Sequence, residues 1–373
     1  MHASSLDVLF LEPWWGGSHR AFVETWSQRS RHRFDSIGLS PHHWKWRQEA
    51  SAWELARRVR DRPAPDVLAC SDFVDLPRLL GFLPPAWRAA PTLCYFHENQ
   101  LTYPGAKDAR DLTHGFSNVL SAVRADACAF NSEFHRAEFR DAADAFLARL
   151  PRPNPRAELA TALDGAPVVA PLPEIEAGPL GLGGDGPLRI AFPHRLEPDK
   201  DPTAFFEAAR AASARGAEIE LVLVGGHPGS ARDDIRAALV TVDSLMATAG
   251  FVESRAEYLE LLGTCDVVAS TAHHEFFGVA FAEALAAGCA PLALDRANYP
   301  ALVAPYAGPG GIAADVPEFV ERLVRLADDP RAARHAMART AARASVLEHD
   351  AARGVPRLDA IAEDLVRPSP PSP

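Results

Sequence analysis

Two carboxylates, Glu275 and Glu283, stand eight residues apart in the stretch HHEFFGVAFAEALAAGCAPLAL, His273 to Leu294. Between them Gly278 interrupts the chain, and Val279 to Leu285 follows with Phe281 and Leu285 four apart among alanines, the spacing of a short buried helix. Ahead of them CDVVAST, Cys265 to Thr271, is short, apolar and β-branched, as a buried strand is. Gly288 can close the helix, and Ala290 to Leu294 can begin the next strand. A strand, a glycine turn and a helix N-terminus expose unpaired backbone N–H groups and the positive end of a dipole, which suits an anion. Glu275 on the turn and Glu283 inside the helix would then meet opposite ends of one ligand. A second pair of charges, Arg195 and Lys200, lies five apart in PHRLEPDKDP after the apolar run Leu188 to Phe192. Fixed cations there stabilise negative charge that grows on a departing phosphate more than they stabilise the bound ground state.

Other polar groups gather at the ends of apolar runs. DVLFLE, Asp7 to Glu12, reads as a strand and is followed by Trp14, Trp15, Gly16, Gly17, Ser18 and His19, then by a helical pattern from Ala21 to Gln28. The glycine pair makes an anion- or sugar-facing loop or a plain tight turn. Adjacent tryptophans on such a loop are expected to stack on something rather than fill space. Strands are also expected at Asp66 to Ala69 and Thr92 to Phe96. The second of these ends in His97, Glu98, Asn99 and Gln100, with Tyr103 and Pro104 behind them. Consecutive polar groups at the carboxyl end of a strand mark a pocket in an open α/β sheet. Ala127 to Phe130 reads as another strand, and Ser132 as the N-cap of a helix after it.

The chain has 373 residues and a net charge of −11, which excludes bulk electrostatic capture of nucleic acid. The balance is reversed locally: from His19 to Arg62 ten bases face five acids, so any RNA contact belongs there. Inside that segment His42, His43, Trp44, Lys45, Trp46 and Arg47 interleave aromatics with cations, a pattern that can stack on unpaired bases while holding phosphates, or form a solvated face with two anchoring tryptophans. Length favours two domains. Both halves alternate strands and helices, so an α/β class with two doubly wound parallel sheets is expected. The divisions expected are residues 1–170, a Pro- and Gly-rich linker 171–187, a second α/β domain 188–350, and a closing helix with a disordered Pro/Ser tail, 351–373. The five cysteines lack metal or disulfide spacing and read as buried thiols. With neither a charged-then-apolar leader nor eighteen successive apolar residues, a cytoplasmic protein without a membrane partner is expected.

Glu275-x7-Glu283 resembles the donor site of retaining, family-four glycosyltransferases of the GT-B fold. Closer still, W-W-G-G-S-H from Trp14, H-W-K-W-R from His43, Y-F-H-E-N-Q-L-T-Y-P from Tyr95, F-N-S from Phe130, P-H-R-L-E-P-D-K-D-P from Pro193 and S-T-A-H-H-E-F-F-G-V-A from Ser270 look like the tRNA-queuosine α-mannosyltransferase family, in order from Glu12 to about Pro300. The resemblance implies two Rossmann-like domains facing each other across a cleft, and transfer of mannose from GDP-mannose to the cyclopentenediol of queuosine in the anticodon loop of an aspartate tRNA. It implies donor-sugar binding by Glu275, diphosphate binding by the backbone of Phe277, Gly278 and Val279, ribose binding by Glu283, and leaving-group stabilisation by Arg195 and Lys200. Gly16, Gly17 and Gly226 would line the donor. His97 would help position donor or acceptor. Ser18, His19, Trp44, Lys45, Trp46, Arg47, Glu98, Asn99 and Gln100 would serve the acceptor. Asp199-Lys200-Asp201 spells the D-x-D metal signature of the other major glycosyltransferase fold, but its flanking cations and the helix amides can replace Mg²⁺, so no metal or other cofactor is expected. This chain lacks the long insert that animal members carry before the second domain, and has Trp15 where they often have tyrosine. Competing readings are a glycosyltransferase of the same class with another donor or with a lipid, polysaccharide or protein acceptor, and a nucleotide-sugar- or RNA-binding module without catalysis. Sequence leaves the donor base, the exact tRNA and the oligomeric state open.

Overall fold

The computed structural model describes residues 5–103, 112–175, 180, 186–226 and 228–367. Pro104, most of the Gly-rich run 177–186, His227 and the Pro/Ser tail from residue 368 lie outside the described residues. The chain forms two compact units, one from residues 1–172 with 351–373 and one from 173–350.

The first unit carries a five-stranded sheet: β1 (Asp7–Glu12), β2 (Arg33–Gly38), β3 (Val67–Ser71), β4 (Thr92–Phe96) and β5 (Ala127–Phe130). Every pairing is parallel and the order is β2-β1-β3-β4-β5. Alternation sends Leu9, Leu11, Leu68, Cys70, Cys94 and Phe96 to one buried face and Val8, Phe10, Val67, Ala69, Leu93 and Tyr95 to the other. Helix α1 (Gly17–Arg29) covers the second face, where Phe10, Phe22 and Trp26 meet edge to face at about 6.0 Å. The closing helix Ala351–Val366 packs on the same face. Its buried Asp359 accepts bonds from Trp26 Nε1 at 2.9 Å, Ser30 Oγ at 2.7 Å and the Arg31 amide at 3.0 Å. Residues 351–366, set apart by sequence patterning, thus belong to the first unit.

The second unit has six parallel strands: β6 (Leu188–Phe192), β7 (Ile219–Val224), β8 (Met246–Gly250), β9 (Val267–Ser270), β10 (Ala290–Leu294) and β11 (Gly311–Ala313). Their order is β11-β10-β9-β6-β7-β8. From β6 the chain builds outward through β7 and β8, then crosses to β9 and builds the other way. The reversal falls between β6 and β9, which are direct neighbours. In the first unit it falls between β1 and β3. Loops leaving the carboxyl ends of strands at such a reversal splay apart and leave a crevice, the usual ligand position in open α/β sheets.

Candidate active site

At the β6/β9 reversal the structure joins the two charged motifs of the second unit. The loop after β6 tightens into a 3-10 turn at Pro198–Lys200, and the loop after β9 lies against it, with the His273 amide donating to the Asp199 carbonyl at 2.9 Å and Thr271 Oγ1 to the Asp201 carbonyl at 2.8 Å. Lys200 Nζ donates to the His274 carbonyl at 2.8 Å and lies 3.1 Å from both Glu275 Oε2 and Asp199 Oδ2. Burial alone would discharge this lysine. Glu275 and then Asp199 outweigh it, and the ammonium is held charged well above its ordinary range. Burial likewise pushes Glu275 up, but the Lys200 charge prevails and the carboxyl sits below its usual range. His194 and His274 are lowered to about 4 by burial and then by Lys200, so both are neutral imidazoles at neutral pH. The D-x-D carboxylates have other work. Asp199 faces Lys200, and Asp201 caps the helix Pro202–Ala214 by accepting from the Ala204 amide.

Gly278 is the N-cap of the helix Val279–Ala286 and adopts φ +95°, a left-handed conformation that side chains resist; a Cβ there would also sit 3.3 Å from Leu302. Asn298 Nδ2 holds the preceding carbonyl, that of Phe277, at 2.9 Å. The Phe277 ring is buried against His349, so backbone is what this residue has to offer a ligand. Glu283 is buried on the same helix and ion-paired to Arg255 at 2.8 Å. Arg255 is not singled out by sequence, although it starts a helix capped by Ser254. Arg195 is exposed and pairs with Glu197 at 3.1 Å. Gly225 has φ +126° and passes so close to His194 that a Cβ would lie 3.0 Å from its carbonyl carbon, which brings Gly226 beside the Arg195 backbone.

In the first unit the β1/β3 reversal is bridged by Glu12, fully buried at the end of β1. Its Oε1 accepts from the Trp14 amide at 2.8 Å and from Ser71 Oγ at 3.0 Å, and its Oε2 lies 3.2 Å from His19 Nδ1 and 4.0 Å from His97 Nε2. The His19 and His97 rings lie tilted against each other, with centroids 4.1 Å apart and planes 30° from parallel. Burial opposes charge on His19, but the Glu12 carboxylate overcomes it and raises the imidazole to about 9. His97 goes the other way, lowered well below its usual range by burial and then by the His19 charge. Beneath it Asp72 Oδ1 accepts from the His97 amide at 2.7 Å and the Glu98 amide at 3.3 Å; burial and then the Glu98 charge push that carboxyl well up. The His97 carbonyl accepts from Asn131 Nδ2 at 2.7 Å. His97 is thus a neutral imidazole pinned on both backbone sides. Glu12, His19 and His97 are the group whose ligand-type atoms, among the described residues, could surround an ion, all within 4.8 Å of one another. With His19 Nδ1 at 3.2 Å from the carboxylate and His97 Nε2 only at 4.0 Å, the arrangement is that of a carboxylate holding the His19 imidazolium.

The remaining acceptor-side expectations divide. Ser18 is exposed on the first turn of α1. His19 is buried in the Glu12 pair and cannot be an open surface contact. Asn99 folds its own turn, Oδ1 accepting from the Leu101 and Thr102 amides at 3.1 Å. The Gln100 amide donates to Asn118 Oδ1, and its side chain donates to Glu98. Trp44, Lys45 and Trp46 are exposed on the first turn of α2 (Trp44–Val59), whereas Arg47 turns inward to the Ser40 carbonyl and Glu54. Trp15 fills space after all: it lies across Gly38 of β2.

The protonated His19 makes stability fall with alkalinity. Its folded pKa is raised, so the stabilisation is complete below about 6.5 and is lost as pH rises through about 9; at about 1.4 kcal/mol per unit this is about 3 kcal/mol. Urea denaturation at pH 6 and pH 9.5 should show that loss in the wild type and a much smaller one in His19→Asn. Equal losses in both would place the effect elsewhere.

Similarity to known proteins fits this geometry. Residues 183–344 match the glycosyl transferases group 1 family. Among solved structures, Anabaena HepE in complex with UDP and glucose superposes with a TM-score of 0.67 at 16% identity, covering 96% of this chain and 100% of that one. TarM gives a TM-score of 0.63 at 13% identity over 86% of this chain, which spans 58% of TarM's length. The chain is a glycosyltransferase with the two parallel-sheet domains of the GT-B fold. Residues 7–171 match the tRNA-queuosine alpha-mannosyltransferase N-terminal family, and a Drosophila melanogaster tRNA-queuosine alpha-mannosyltransferase is 31% identical over 313 residues, 80% of this chain and 82% of the fly protein. The chain belongs to the tRNA-queuosine alpha-mannosyltransferase family.

Proposed function

We propose that this protein transfers mannose from GDP-mannose to the cyclopentenediol of queuosine in the anticodon loop of an aspartate tRNA, with retention of configuration and without a metal. The observation that carries the reading is the Lys200–Glu275 contact at the β6/β9 reversal, beside a helix N-terminus, in a chain of this family. The acceptor hydroxyl oxygen bonds to the anomeric carbon on the face from which the carbon–phosphate-oxygen bond breaks, and its proton passes to the leaving phosphate. No carboxylate nucleophile is needed. Lys200, Arg195 and the amides of Phe277 to Val279 take the charge that develops on the diphosphate. Glu275 holds the sugar hydroxyls, Glu283 the ribose, and neutral His97 positions donor or acceptor. Exposed Trp44, Lys45 and Trp46 meet the single-stranded anticodon loop. Cytoplasmic residence belongs to the same proposal: five cysteines are free and buried, and no helix among the described residues is long and apolar enough to cross a membrane.

The test is incubation of the purified protein, in EDTA, with queuosine-containing tRNA and each of GDP-mannose, UDP-glucose and UDP-galactose, followed by mass analysis of the nucleosides. A hexose added to queuosine with GDP-mannose alone is expected. Addition only from a UDP-sugar, or only with Mg²⁺ restored, would overturn the donor or the metal-free mechanism respectively.

A further inference from the structure

We infer that Trp53 and Arg57 form a second RNA-stacking platform on α2, distinct from its first turn and directed at a part of the tRNA remote from the modified nucleotide. Helix α2 follows β2 and therefore starts at the carboxyl edge of the sheet, the edge at which His97 sits, and runs back from it. Its inward face is Gln48, Ser51, Ala52, Leu55, Ala56 and Val59. Trp53 stands seven residues after Trp46, two helical turns along the same outward face and about 10 Å further from that edge at ~1.5 Å per residue. The two indoles are 62% and 48% exposed, a large unburied area for side chains that ordinarily bury themselves.

Trp53 is not bare apolar surface. The Arg57 guanidinium carbon lies 4.9 Å from its ring centroid, a planar cation seated on an aromatic. The nearby carboxylate of Glu54 is engaged by Arg47 and Arg58, at 2.8 and 2.7 Å. Arg57 has no carboxylate partner among the described residues. An indole carrying an uncompensated guanidinium, inside a basic segment of a chain of net charge −11, is the combination that stacks a base and pairs its phosphate. A protein interface would instead call for a contiguous apolar patch with a polar rim. Two indoles separated by two turns and flanked by arginine do not make one.

The inference rests on tRNA being the acceptor, and the experiment separates the two. Fluorescence anisotropy with labelled full-length tRNA is expected to show Trp53→Ala and Arg57→Ala each binding about tenfold more weakly and Trp53→Phe near wild type. Arg57→Ala alone should lower the slope of log K against log salt by about 1. GDP affinity and melting temperature should be unchanged, because both side chains are on the surface. Wild-type affinity in Trp53→Ala and Arg57→Ala, with binding lost in the Trp44→Ala/Trp46→Ala double variant, would remove the platform and leave the acceptor assignment standing. No tRNA binding by the wild type would remove both. A change in sedimentation of Trp53→Ala with tRNA affinity intact would assign the surface to a protein contact and overturn the inference.

Discussion

Glu275→Gln should lower kcat for mannosyl transfer by roughly 10²–10³-fold, the scale of losing one preorganised charged contact at a reacting centre, while tRNA affinity stays at the wild-type value. The substitution keeps shape and hydrogen-bonding capacity but removes the charge that Lys200 Nζ meets at 3.1 Å. It should fold, because Lys200 retains Asp199 and the His274 carbonyl. Lys200→Ala is the poorer probe. It would leave Glu275 and Asp199 facing each other without their cation, and stripping one member from such a buried cluster typically costs about 3–5 kcal/mol, so lost activity would be confounded with lost structure. A kcat lowered by roughly 10²–10³-fold with a normal thermal melt is the expected result for Glu275→Gln. A kcat within about threefold of wild type would detach Glu275 from catalysis.

The second large effect is one of stability. Glu12→Ala should destabilise the first unit by about 3–5 kcal/mol, because it removes the counter-charge that holds buried His19 protonated and strips the Trp14 amide and Ser71 hydroxyl of their acceptor. For a unit of this size that is on the order of 10 °C in melting temperature. Glu12→Gln, which keeps the amide and hydroxyl contacts, should recover part of the stability, while His19 falls back toward an ordinary imidazole pKa in an NMR titration. A melting temperature within about 2 °C of wild type for Glu12→Ala, at about 2–4 °C per kcal/mol, would show that the carboxylate bridges nothing of consequence.

Glu12 also shows where sequence stops being informative. Its side chain matters because β1 and β3 are neighbours in a sheet, a relation between residues 12 and 71 that no local pattern contains. Asp72 beneath His97, and Arg255 against Glu283, were likewise visible only as residue types in polar turns or helix starts. What was legible rests on short-range physics: central strands are continuous apolar runs, Gly278 breaks the chain where φ must be positive, and Ser132 caps its helix by accepting from the His135 amide. Edge strands escaped. RFDSIG of β2 has one face open to solvent and no apolar run; β8, Met246–Gly250, alternates half-buried and exposed residues; β11 is three residues long. Within the acceptor motifs, sequence gave residue types without direction, so His19, Asn99 and Arg47 were grouped with exposed Trp44 and Trp46, although their side chains are spent on Glu12, on a turn and on Glu54.

The most direct test is a crystal structure of the protein grown with GDP-mannose in EDTA. The diphosphate should lie on the amides at the start of Val279–Ala286 with Lys200 and Arg195 against it, the ribose hydroxyls on Glu283 in place of Arg255, and the mannose hydroxyls on Glu275. A nucleotide bound away from Lys200, Arg195 and Glu283 would contradict the proposed mechanism at its root.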